Sequence, residues 1–223
     1  MKAMSLVERY ALLPEEIDRE SLKLVEASLP RSLGVGLKEL YVVCRIVRAE
    51  GDPDIAPAIR FSPGAVERGL AAMAAHAPVV TDVRMVEAGI SRALLRQHGI
   101  ATRCLIDAPQ VADRARREGT TRSVAALREL APRLSGAVVA IGNAPTALLA
   151  LLDLVDQGQA SPALIIGMPV GFVACPESKD ELMRRPTPYI TIPGRRGGSS
   201  AAAATVNALL DLLGQREESH EPS

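Results

Sequence analysis

Gly194-Arg-Arg-Gly-Gly-Ser-Ser200 is the segment of the chain whose residue types most directly suggest chemistry. It sets two guanidinium groups and several unhindered backbone N–H groups at the start of an Ala-rich stretch. Helix N-termini attract negative charge, and guanidinium pairs bidentately with carboxylate or phosphate, so the pattern is that of an anion site. Thr121-Arg122-Ser123 repeats this chemistry at another expected helix start. No GxxxxGK[ST] phosphate loop occurs, and several separated cationic pockets suit a ligand with several carboxylates better than a single phosphate cluster does. The competing reading of residues 194–200 is a flexible basic loop.

Two further segments follow short apolar runs in the same way. Gly142-Asn-Ala-Pro145 can bring backbone N–H groups close to a carboxylate, with Asn143 adding a side chain that both donates and accepts; it can equally be a tight turn with Asn143 as a cap. Gly167-Met-Pro-Val-Gly-Phe-Val173 offers Phe172, one of two phenylalanines, as a flat apolar surface for a conjugated ring, or as a buried anchor of a structural loop. No GxGxxG is present, so a dinucleotide site has little support. His76, His98 and His220 are expected to be solvated or capping residues.

The elements that must position these groups are legible from periodicity and punctuation. Helices are predicted over Pro14–Ser28, Leu37–Ala49, Pro63–Ala75, Gln110–Glu118, from a Thr120 or Thr121 cap to Leu130, Pro145–Val155 and Ser199–Leu213. Strands are predicted over Pro78–Thr81, Thr102–Ile106, Ala137–Ile141, Ala163–Ile166 and Tyr189–Ile192. Strands alternating with helices imply βαβ units, hence an α/β fold with a doubly wound, mainly parallel sheet. In such sheets ligands bind beyond the carboxyl ends of the strands, where all three glycine-containing segments fall.

Composition narrows the class further. At 223 residues the chain suits a single domain, expected over 1–214, with 215–223 as a disordered charged tail. Aromatic residues are 2% against 48% apolar, so the core must be Ala, Val, Leu and Ile, as in helices packed on a parallel sheet. Lys plus Arg balance Asp plus Glu at 26 each, so no overall field recruits nucleic acid or an anionic membrane. Cys44, Cys104 and Cys175 lie far apart without CxxC spacing, which argues against a disulfide framework and a metal site. No apolar run reaches the roughly 20 residues of a membrane span, and the start lacks the apolar core of a signal peptide, so a cytoplasmic location is expected.

Taken in order, Ile141-Gly-Asn-Ala-Pro-Thr-Ala-Leu148, then Gly167 to Val173 with Glu177-Ser-Lys179, then Gly194 to Ser199 running into Asn207, resemble the signature blocks of the precorrin-8X methylmutases. The resemblance spans about Glu15 to Leu212 and takes in Ser21, Phe61-Ser-Pro63, Asp82 to Met85 and Thr121-Arg-Ser123. It implies a flavodoxin-like fold, a homodimer with the tetrapyrrole near the subunit interface, and no cofactor. The implied activity belongs to corrin (vitamin B12) biosynthesis: a methyl group migrates from carbon eleven to carbon twelve of precorrin-8X or its cobalt form, giving hydrogenobyrinic acid or its cobalt counterpart. The implied substrate-binding residues are Ser21, Asp82, Arg122, Asn143, Gly167, Lys179, Arg195, Gly198 and Ser199.

Two positions depart from that family's pattern. Its catalytic histidine lies a fixed distance before the Phe-Ser-Pro turn, and counting back from Phe61 puts Arg48 there. Arginine donates hydrogen bonds and stabilises negative charge but does not cycle a proton near neutrality, as histidine does. Arg48 is therefore the expected catalytic residue of a mutase. Alternatively, the chain is a non-catalytic tetrapyrrole-binding paralogue, or an isomerase of a different modified tetrapyrrole. Ala174-Cys175-Pro176 replaces the small residues expected there, with Cys175 read as a small filler.

Overall fold

The structure, a computed structural model, describes residues 5–6, 14–30 and 33–218. Helices α1 (Pro14–Ser28) and α2 (Leu37–Glu50) come first, followed by a 3-10 turn (Pro53–Ala58) and a two-residue strand β1 (Arg60–Phe61). Then come α3 (Ala65–Ala74), β2 (Val79–Thr81), α4 (Arg84–Gly89), α5 (Arg92–Gln97), β3 (Thr102–Arg103), α6 (Pro109–Glu118) and α7 (Arg122–Leu130). The order closes with β4 (Val138–Ile141), α8 (Pro145–Asp156), β5 (Leu164–Gly167), α9 (Cys175–Met183), β6 (Tyr189–Thr191) and α10 (Ser199–Glu218).

The sheet runs β1-β6-β5-β4-β2-β3, with every pairing parallel except β1 with β6. Leaving out β1, the parallel strands have the flavodoxin-like order 2-1-3-4-5, and the order in which strands are added reverses between β2 and β4. The central strands β4 and β5 are apolar throughout and wholly buried because both of their faces are covered. Their period of two divides them between layers. Val138, Ala140, Leu164 and Ile166 face α2, α3, α4 and α10, whereas Val139, Ile141 and Ile165 face α7, α8 and α9. The Ala-rich start of α10, Ala201 to Ala204, lies in the first layer, where small side chains let it pack closely against the sheet and α2.

The sequence missed β1, α4 and α5, and it drew β3 too long. β1 pairs antiparallel with β6 through Phe61 and Ile190, and Ser62 extends the pairing by donating N–H to Tyr189 O while its Oγ accepts from Tyr189 N. Both α4 and α5 are six residues long, too short to show a helical period. The supposed tail is corrected in part: α10 continues through residues 215–218, and residues 219–223, with His220, lie outside the described residues.

Candidate active site

The crevice between β2 and β4 is where doubly wound sheets of this order hold ligands. Here Asp82, wholly buried at the end of β2, occupies it. Its Oδ1 accepts from Gly142 N and its Oδ2 from Asn143 N and Ala144 N, all at 2.9 Å. The N–H groups read from sequence as receptors for a ligand carboxylate are thus bound by one from the chain itself. Burial pushes the Asp82 carboxyl up, against the downward pull of those donors. Gly142 allows a close approach by protein, since a methyl placed there would lie 2.8 Å from Ser199 Cα and 2.6 Å from Val86 Cγ2.

Thr121 caps α7 by accepting from Val124 N, and its hydroxyl lies 3.3 Å from that of Thr146 on α8. That contact sets exposed Arg122 and exposed Asn143 at neighbouring helix starts.

After β5 and β6, two loops are laced together. Gly171 N donates to Arg195 O and Gly198 N to Met168 O. Behind them stands Lys179, wholly buried on α9, whose Nζ donates to Gly194 O at 3.0 Å and Arg196 O at 2.6 Å. Burial lowers the Lys179 ammonium's pKa, and the neighbouring Cys175 opposes that shift. Cys175 is more than filler, since its thiol is directed at Pro169 O at 3.1 Å. Gly167 is buried too: a methyl there would lie 2.4 Å from Leu182 Cδ2, so its role is to seat α9 on the sheet. Arg196 pairs with Asp52 beyond α2 and reaches Asp54 O at 3.3 Å. Arg195 turns outward, its guanidinium 5.0 Å from the ring centroid of Phe172, which is 78% exposed.

Arg48, half-buried in the last turn of α2, lines a cleft of about 320 Å³ with Arg45, Ala49, Gly89, Ser200, Ala203, Ala204 and Asn207. Ser200 Oγ donates to Glu50 Oε1 at 2.5 Å, which fixes the end of α2 beside the start of α10. Asn207 accepts from Ser91 N and donates to Gly89 O, closing one wall. Arg45 is held by Asp211 at 3.2 Å. Among the described lining residues, Arg45 and Arg48 are the titratable ones, and both are guanidinium groups.

The geometry therefore sorts the residues picked from sequence. Arg48 lies beside the α10 N-terminus that carries Gly198 and Ser199, and Arg195 stands on the adjoining loop. Arg122 and Asn143 form a second group. Ser21 lies on α1 and does not line the Arg48 cleft. Asp82, Gly167 and Lys179 are buried in this structure, the first and last hydrogen-bonded within the protein and Gly167 packed against Leu182. His98 is the C-cap of α5, its N–H donating to Leu94 O, and is buried at 5% exposure with its carbonyl 2.9 Å from Nδ1 of His76. Sequence reasoning missed Arg45 and Ser200. The signal for Arg45 was its position three residues before Arg48, on the same helical face.

The fold and site define a doubly wound α/β protein with cationic and helix-terminal groups gathered at the carboxyl end of its sheet. The profile of the precorrin-8X methylmutases matches residues 16–212. Cobalt-precorrin-8 methylmutase of Priestia megaterium is 36% identical over 198 residues, covering 88% of this chain and 87% of that one. Precorrin-8X methylmutase of Pseudomonas aeruginosa is 47% identical over 167 residues, covering 74% and 80%. The crystal structure of precorrin-8X methylmutase from Thermus thermophilus superposes with a TM-score of 0.85 at 40% identity, covering 91% and 97%. The chain belongs to the precorrin-8X methylmutase family.

Proposed function

We propose that the chain is a mutase of cobalamin biosynthesis that moves a methyl group from carbon eleven to carbon twelve of precorrin-8X or its cobalt form. One carbon–carbon bond breaks and one forms, so composition is unchanged and no cofactor is consumed. The observation that carries this reading is the Arg48 cleft, built by α2 and α10 beside a helix N-terminus, in a chain of this family. Arg48 stabilises negative charge on the macrocycle and donates hydrogen bonds to it. Arg195, Arg122 and the backbone around Ser199 receive its carboxylates. A cleft of about 320 Å³ takes one edge of a substituted macrocycle, which supports a homodimer whose second subunit covers the remainder.

A second reading is favoured by the lining of the cleft. Its two titratable groups are arginines, and guanidinium keeps its proton at any ordinary pH. A non-catalytic tetrapyrrole-binding protein needs charge there and no proton transfer. The two readings part on anaerobic mixing with precorrin-8X, followed by visible absorption. Multiple turnovers from the yellow substrate to the pink corrin establish the mutase, and a bound, unconverted spectrum establishes the binder. Arg48→His then discriminates further: a large gain of methyl migration identifies a decayed mutase, whereas loss of binding identifies a role for the guanidinium itself.

A further inference from the structure

We infer that Lys179 is a positioning residue: its buried ammonium draws the carbonyls on either side of Arg195 inward and so aims the Arg195 guanidinium outward at a substrate carboxylate. This rests on the tetrapyrrole reading above and deepens it.

A lysine at 0% exposure is uncommon, because a buried ammonium needs partners that compensate its lost hydration. Its partners are two carbonyls, Gly194 O at 3.0 Å and Arg196 O at 2.6 Å, with the Cys175 thiol beside them and no carboxylate hydrogen-bonded to it among the described residues. Hydrogen bonds from a charged donor are the strong kind, so both peptide units are held firmly. Between them, the Arg195 carbonyl accepts from Gly171 N, and three residues on, Gly198 N donates to Met168 O. Three successive carbonyls of the loop are thereby bound, two by Lys179 from behind and the middle one by the neighbouring loop, which leaves the Arg195 side chain exposed.

That side chain is exposed and stacked 5.0 Å from the Phe172 ring, with Val170 and Val173 of the same loop also exposed. A guanidinium against an aromatic face, flanked by apolar side chains, offers a carboxylate and a conjugated edge their complements together. Arg196 is turned away to Asp52, so the loop presents one arginine and uses the other to brace itself against the end of α2. The lysine assigned from sequence to the ligand thus acts one layer behind it.

The test is a double-variant cycle on the full chain, with precorrin-8X as the anaerobic spectroscopic probe and amide hydrogen exchange as a ligand-free readout. Lys179→Met and Arg195→Ala are each expected to weaken binding by about tenfold, the worth of one charge-assisted contact, and the double variant by no more than either alone. In Lys179→Met alone, the amides of Gly171 and Gly198 are expected to exchange at least about tenfold faster, while Arg195→Ala leaves them protected. Losses that multiply in the double variant overturn the proposal, because the lysine then acts independently of the arginine. Unchanged exchange at Gly171 and Gly198 in Lys179→Met overturns it as well. Should Lys179→Met not fold, Lys179→Gln, which keeps one donor, enters the same cycle. Failure of the unmodified chain to bind precorrin-8X overturns the tetrapyrrole reading and this proposal with it. Binding with multiplicative losses overturns the proposal alone.

Discussion

Replacing Gly142 by alanine is the perturbation whose outcome follows most directly from the geometry. The added methyl would lie 2.6 Å from Val86 Cγ2, 2.8 Å from Ser199 Cα and 3.1 Å from Ala202 Cβ. The valine methyl can rotate aside, but Ser199 Cα belongs to the backbone at the start of α10, so the helix itself must retreat from β4. Overpacking of a tight core costs typically 1–3 kcal/mol, and a backbone obstacle puts this case near the top, at about 3 kcal/mol. Gly158→Ala is the control, since nothing lies within 4 Å of its added methyl and only its left-handed φ of +68° is penalised, at about 1 kcal/mol. Urea unfolding of both variants measures the difference. With a slope of about 2 kcal/mol per molar, Gly142→Ala lowers the midpoint by about 1.5 M and Gly158→Ala by about 0.5 M. The proposed site includes Gly198 and Ser199 at the start of α10, so precorrin-8X affinity is expected to fall in Gly142→Ala and to stay unchanged in Gly158→Ala. A midpoint for Gly142→Ala equal to or above that of Gly158→Ala would refute the claim that this glycine exists to let α10 approach the sheet.

Two further outcomes are expected. Asp82→Ala strips the acceptor from three N–H groups, one of them fully buried, and relieves the burial of one charge; a net loss of about 2–4 kcal/mol in urea unfolding is expected, and unchanged stability would contradict a structural carboxylate. Burial pushes the thiols of Cys44, Cys104 and Cys175 upward in pKa, so the folded protein at pH 8 leaves all 3 untouched by Ellman's reagent, and denaturant exposes them together; rapid reaction of any one in the folded state would place it at the surface.

What was legible in the sequence was whatever local chemistry fixes. Val138–Ile141 and Leu164–Gly167 were readable because a strand buried on both faces is an unbroken apolar run, and Pro145 marks the helix start that follows. A threonine cap before α7 was readable, at Thr120 or Thr121, and the structure assigns it to Thr121, whose hydroxyl accepts from the amide three residues on. The direction in which a polar side chain would turn was not readable. Asp82 meets amides 60 to 62 residues away and Lys179 meets carbonyls 15 and 17 residues away, so nothing local distinguishes them from ligand-binding residues. The two arginines of residues 194–200 look alike in sequence, and only the fold sends Arg196 to Asp52 and Arg195 to Phe172. The short strand β1 escaped notice for a similar reason, since its two residues take their extended shape from a partner strand far along the chain.

The contact between Ser200 and Glu50 joins residues 150 positions apart, and α2 packs chiefly on α10. During synthesis the Arg48 helix therefore emerges early and waits, its apolar face uncovered, until nearly the whole sheet has been made and α10 arrives to cover it. Closing so long a loop carries an entropic cost that only contacts made across it can offset. The cleft is thus a reporter of completion: a chain interrupted before α10 lacks Ser200, Ala203, Ala204 and Asn207, four of the eight residues that line the Arg48 cleft. The Arg48 cleft and the full-length fold therefore appear together.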